Sequence, residues 1–98
     1  MIQIKVKQLV APKWKKKENV SDTKVKLSWN VVKNVDGYQI QMSNNKKDGF
    51  TTIKMLKGGE LDTYTVSNLK DAKKCYFRIR AYRVVDQKKV YGSFSKVK

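Results

Sequence analysis

An all-β sandwich of seven antiparallel strands is the fold that this 98-residue sequence predicts, and three observations carry the expectation. Apolar and polar residues alternate at period two over short runs, which gives a strand one buried and one wet face. Turn-forming clusters punctuate those runs at Asn34-Val-Asp-Gly37, Asn44-Asn-Lys-Lys-Asp-Gly49, Gly58-Gly59 and Asp86-Gln-Lys-Lys89. No stretch carries a helical period of useful length. Several short strands at regular spacing argue for a sandwich, with a barrel of equal strand count as the alternative.

In chain order, Ile2, Ile4 and Val6 alternate with Gln3, Lys5 and Lys7 as in a short strand. Pro12 has no N–H for a ladder and so belongs at an edge or a strand start. The polar run Lys15–Asp22 reads as a loose edge ending in a turn. Lys24–Asn30 is a clean strand, with Val25, Leu27 and Trp29 on one side and Lys24, Lys26, Ser28 and Asn30 on the other. Trp29 is the largest residue on an apolar face and the expected centre of the core; Trp29→Ala should cost about 3–5 kcal/mol in a urea melt. Gly37–Ser43 turns Tyr38, Ile40 and Met42 inward and Gln39 and Gln41 outward. Phe50–Met55 is a shorter strand whose register the sequence leaves open, and Thr63–Val66 is briefer, with Leu69 in the turn beyond it. Cys75–Tyr82 splits into an apolar face (Cys75, Phe77, Ile79, Ala81) and a second face of two cations bracketed by phenols (Tyr76, Arg78, Arg80, Tyr82). That strand runs on to Val85, and Val90–Val97 closes the chain.

The length suits one domain, and a chain of this size buries roughly 60–70% of its unfolded surface, enough to fold without metal or disulfide. No apolar run approaches the ~20 residues of a membrane span. The single Cys75 excludes an internal disulfide and, on the apolar parity of its strand, reads as a buried, inert thiol. Histidine is absent, which removes the commonest general base and metal ligand together. With no phosphate-cradling glycine loop and no metal-spaced cluster either, the sequence predicts a non-enzyme without cofactors. The net charge of +15 comes from 20 Lys and 3 Arg against 8 acids. It favours polyanions in general, but the lysines are scattered along the chain, and scarce arginine speaks against specific nucleic-acid recognition.

Ala11-Pro12, Lys26-Leu-Ser-Trp29, Asp36–Ser43, Thr63–Leu69, Tyr76–Tyr82 and Tyr91–Ser95, in that order, resemble a fibronectin type III domain, particularly the lysine-rich kind in bacterial surface and secreted proteins. The resemblance covers residues 9–98. It implies an immunoglobulin-like sandwich, an extracellular or cell-surface location, and neighbouring domains of the same polypeptide as partners. Residues 1–8 would be a leader strand or inter-domain linker, because Ile2–Lys7 resembles either the tail of a preceding domain or an extended first strand. The chain is therefore expected to be part of a larger multi-domain protein. The family usually places a tyrosine six residues after the leucine of the turn before its sixth strand; here that count from Leu69 reaches Cys75. The corner hydrogen bond of that tyrosine should then be missing or supplied by another group.

Two candidate sites follow. The first is the outer face of the sixth strand with its neighbours: Tyr76, Arg78, Arg80, Tyr82, Tyr91, Phe94, Gln39 and Gln41. In related modules two aromatics three apart in the last strand stack on arginines of the adjacent one, and Tyr91 and Phe94 have that spacing, provided the last strand bulges at Gly92. A structural arginine–aromatic ladder is the leading reading; the rival is a platform of rings and donors for glycans or anionic polymers such as wall polymers. The second is the basic cluster Lys13, Trp14, Lys15, Lys16 and Lys17, a polyanion contact or, more simply, a solvated edge whose lysines discourage aggregation. Functionally the sequence predicts a non-catalytic spacer, scaffold or protein-interaction module, with an anionic-polymer or glycan-binding module as the alternative.

Overall fold

The computed structural model describes residues 9–98; the expected strand at Ile2–Lys7 lies outside them. Among the described residues, seven antiparallel strands form two sheets: β1 (Trp14–Ser21), β2 (Lys24–Trp29), β3 (Gly37–Ser43), β4 (Thr51–Lys57), β5 (Thr63–Val66), β6 (Tyr76–Val85) and β7 (Lys88–Tyr91). The three-stranded sheet has the order β1-β2-β5, and the four-stranded sheet β4-β3-β6-β7. The chain crosses between sheets after β2, β4 and β5, which makes a sandwich rather than a barrel.

Alternation fills the space between the sheets. Val25, Leu27 and Trp29 from β2 face Tyr38 and Ile40 from β3 and Phe77, Ile79 and Ala81 from β6, all with no exposed surface. Trp29 meets Tyr38 edge-on at 5.4 Å and Trp14 at 6.3 Å. Such pairs add roughly 0.5–1.5 kcal/mol beyond the area they bury. The Tyr38 hydroxyl is satisfied at the core's rim, accepting from the Val32 N–H at 2.9 Å and donating to the Gly59 carbonyl at 2.8 Å.

The polar run after Pro12 departs from the sequence reading: it is a regular edge strand paired along β2, not a loose edge. Bulges at Lys15 and Val20, where two β1 residues oppose one β2 residue, bend it around the core. At the other end, the regular ladder of the last strand stops at Tyr91, earlier than the expected Val90–Val97. Residues 92–98 still follow β6 through bonds from Gly92 N to Ala81 O (2.9 Å), Ser95 N to Ile79 O (2.7 Å) and Lys98 N to Phe77 O (2.9 Å). β4 begins at Thr51, extends to Lys57 and is bulged opposite the Ile40–Gln41 step of β3, which is why its register was illegible.

The turn before β6 is one short 3-10 helix, Ala72–Lys74, capped by the Asp71 carboxylate on Lys73 N–H. Its backbone is tied to the β1–β2 turn by Leu69 N to Thr23 O (3.0 Å) and Ala72 N to Asp22 O (2.8 Å). Cys75 is buried, and its thiol donates to the Asp71 carbonyl four residues upstream at 3.4 Å. A sulfur thus makes the bond that a corner hydroxyl would make, more weakly because S–H is a poor donor. Burial pushes the Cys75 thiol above its ordinary pKa, which suits an inert side chain.

Candidate functional site

The outer face of the four-stranded sheet is built by register. On β6, Arg78, Arg80 and Tyr82 lie opposite Gln41, Gln39 and Gly37 of β3. Arg78 Nε donates to Gln41 Oε1 at 2.8 Å, and Arg80 Nε donates to Gln39 Oε1. Both glutamine amides then donate to the Thr52 hydroxyl of β4, at 2.8 Å from Gln39 and 3.2 Å from Gln41. Charged donors make the arginine bonds short and directional.

Aromatic rings fill the gaps between the cations. Between Gly92 and Ser95 the last segment advances three residues while β6 advances from Ala81 to Ile79, so it holds one extra residue. Ser95 fixes this bulge by accepting the Ile79 N–H on its hydroxyl at 3.0 Å. The extra residue brings Tyr91 and Phe94 to one face. The Arg80 guanidinium lies 3.8 Å from the Tyr91 ring centre and 4.5 Å from that of Phe94. Arg78 lies 4.0 Å from Phe94 and 4.5 Å from Phe50. The stack therefore runs Phe50, Arg78, Phe94, Arg80, Tyr91. Sequence reasoning missed Phe50, although its parity with Thr52 places it outward once the β3–β4 register is known. Burial lowers the proton affinity of Arg80, with Tyr91 opposing and Arg78 adding to the effect; a guanidinium nevertheless keeps its charge.

Not every residue of the predicted face is available at its surface. Tyr82 is only 3% exposed, because its ring covers Gly37 and its hydroxyl donates to Leu56 O at 3.2 Å. A Cβ on residue 37 would collide with that ring and with the Leu56 carbonyl, so glycine is required there. Gln39, read as outward and accessible, is 8% exposed beneath the stack. Tyr76 stands apart from the stack, with the Lys17 ammonium 5.6 Å from its ring centre. Phe94 carries two guanidinium groups, and Phe50 and Tyr91 carry one each, so the rings are stacked with cations rather than laid out as a bare aromatic platform.

The basic cluster also divides. Lys13, Lys15 and Lys16 are exposed, and Lys16 pairs with Glu18 at 3.8 Å. Such a surface pair contributes at most about 1 kcal/mol. Trp14 is turned inward: its indole N–H donates to the Lys96 carbonyl at 2.8 Å, clamping β1 to the last segment. Lys17, one bulge later, also points inward. It donates to the Cys75 carbonyl at 2.7 Å beside the Tyr76 and Phe77 rings. Burial is the main cause of its lowered pKa; the Cys75 thiol opposes the shift and Lys98 adds to it. Neither Trp14 nor Lys17 is free to meet a polyanion.

Among the described residues, no three His, Cys, Asp or Glu side chains converge as a metal site would require, and no helix is long and apolar enough to cross a membrane. An open cleft of about 430 Å³ lies at the pole where Leu9–Lys13 pass the loop Asn30–Asn34 and Arg83.

The sequence matches no protein-family model and no curated protein. Solved structures do match. A fibronectin-type-III-like protein from Clostridium thermocellum is 14% identical, with 91% of this chain and 90% of that chain covered at a TM-score of 0.58. A human fibronectin type III domain is 18% identical, with 93% and 69% covered and a TM-score of 0.58. A β-1,2-glucanase from Parabacteroides distasonis is 15% identical at a TM-score of 0.66, with 92% of this chain but 12% of that chain covered. The chain likewise spans 30% of a matched titin segment and 25% of a matched pectate lyase. Fibronectin type III domains predominate among these neighbours, and the fold is that of a fibronectin type III domain.

Proposed function

We propose that this fibronectin type III sandwich is a non-catalytic spacer, scaffold or protein-interaction module of a larger extracellular bacterial protein, acting beside neighbouring domains of its own polypeptide. The observation that carries the reading is the placement of Leu9 and Lys98 in the sandwich. Leu9 packs beside Gly92 and lines the cleft at the pole of the β2–β3 loop. Lys98 is bonded both ways to Phe77 at the start of β6, toward the opposite pole. A segment joined at either residue would therefore leave the sandwich from a different pole. The small share of the glucanase and titin chains that the fold occupies supports the same reading.

The gene encoding these residues tests the proposal. An export signal and flanking domains are the expected result, together with recovery of the product outside the cytoplasm. A reading frame limited to these 98 residues, with a cytosolic product, would overturn it.

A further inference from the structure

Beyond a scaffold role, we propose that the outer face of the four-stranded sheet binds the oxyanions of an acidic polysaccharide through the outward edges of Arg78 and Arg80. Each arginine commits its Nε to a glutamine, and among the described residues no hydrogen bond or ion pair engages the η nitrogens of either. The one ion pair among those residues, Lys16–Glu18, belongs to the other sheet. Two cations therefore stand on a face without a neutralising carboxylate, each with a donor edge matched to sulfate or carboxylate.

Their geometry is fixed in advance. Two guanidinium groups at 4.0 and 4.5 Å from the Phe94 centre share that ring and stand no more than about 8.5 Å apart. Phe50 and Tyr91 hold the outer sides of the pair. Ordering two long side chains normally opposes binding, and here folding has already done it. The spacing suits successive charged groups along a linear polymer rather than one small anion.

The rings decide the kind of polymer. Single-stranded nucleic acid binds by stacking bases on open aromatic faces. Phe94 already lies against two guanidinium groups, and Tyr82 is buried over Gly37. What the hydrogen bonds leave uncommitted is the η edge of each partly exposed guanidinium, with Gln41 and Thr52 beside them, a donor set that recognises oxyanions and hydroxyls without stacking.

The test is calorimetric titration of the folded chain with a heparin octasaccharide and with an oligogalacturonate, in roughly physiological salt so that diffuse lysine attraction is screened. The doubly substituted R78K/R80K chain keeps every charge but loses both forks. Affinity for at least one polysaccharide should fall about tenfold or more in that variant, and the tighter of the two identifies sulfate or carboxylate as the preferred oxyanion. Should the variant be unstable, NMR of the unsubstituted chain gives the same decision: the arginine side-chain N–H signals should shift on titration. Absence of binding, unchanged affinity in R78K/R80K, shifts confined to lysine-bearing loops, or tighter binding of a single-stranded decanucleotide would each overturn the proposal.

Discussion

Arg80→Ala removes a guanidinium held against two rings of the stack, and its cost follows from the contacts. The guanidinium lies against two rings, Tyr91 at 3.8 Å and Phe94 at 4.5 Å. Each such contact contributes roughly 0.5–2 kcal/mol, nearer the lower value for a group still partly in water. The bond to Gln39 also goes, leaving the carbonyl oxygen of a side chain only 8% exposed without its donor. An orphaned buried acceptor costs about 1–3 kcal/mol. Allowing water to reach part of the vacated space, the total is about 2–4 kcal/mol. For a domain of this size each kcal/mol lowers Tm by roughly 4–8 °C, so the melting midpoint should drop about 10–25 °C. Arg80→Lys keeps the charge without the planar fork and should fall between the two. The assay is thermal and urea unfolding followed by tryptophan fluorescence, with a double-mutant cycle against Phe94→Ala to isolate the stacking contribution. A loss within about 0.5 kcal/mol, the size of an ordinary surface change, would refute the claim that the stack stabilises the sheet.

Three further outcomes are expected. Gly37→Ala should destabilise by at least about 1–3 kcal/mol, as overpacking does, because its Cβ meets Tyr82 and Leu56 O; a chemical melt unchanged from wild type would show that Tyr82 yields freely. Cys75 should react with a thiol reagent in the native chain only as fast as its corner opens, since the sulfur is buried and burial raises its pKa; a native rate equal to that in urea would contradict this. Burial also raises Tyr38 and Tyr82 above the ordinary 10.0. The unfolded chain releases these protons and the thiol proton first, so their contribution is whole below pH 9.0, the ordinary thiol value, and is lost as pH climbs through the folded values. Lys17, lowered by burial, acts in the opposite sense. Difference titrations of Tyr38→Phe and Tyr82→Phe against wild type, read at the phenolate absorbance, should place both missing transitions above pH 10.0.

Strand parity was legible because it is local: Val25, Leu27, Trp29, Phe77 and Ile79 point inward for the same period-two reason in any antiparallel sheet. Strands β2 to β7 and the need for a bulge near Gly92 followed from the same period, since Tyr91 and Phe94 cannot otherwise share a face, whereas β1 lies in a run without that alternation. Local pattern fails where a bulge or a partner strand intervenes. The extra residue at Lys15 is set by pairing with β2, and it turns Trp14 and Lys17 inward although they sit in a run that reads as solvated. Tyr82 is buried because β3 places a glycine opposite it, and Phe50 joins the stack because β4 pairs where it does. The corner bond from Cys75 depends on a carbonyl that only the short helix presents. The sequence by itself determined which residues can be buried and where the chain turns, since alternation and turn chemistry act over a few residues. Only the tertiary structure decided which cations meet rings, which stay in water and which side chains lose their surface, since those outcomes depend on the register between strands far apart in the chain.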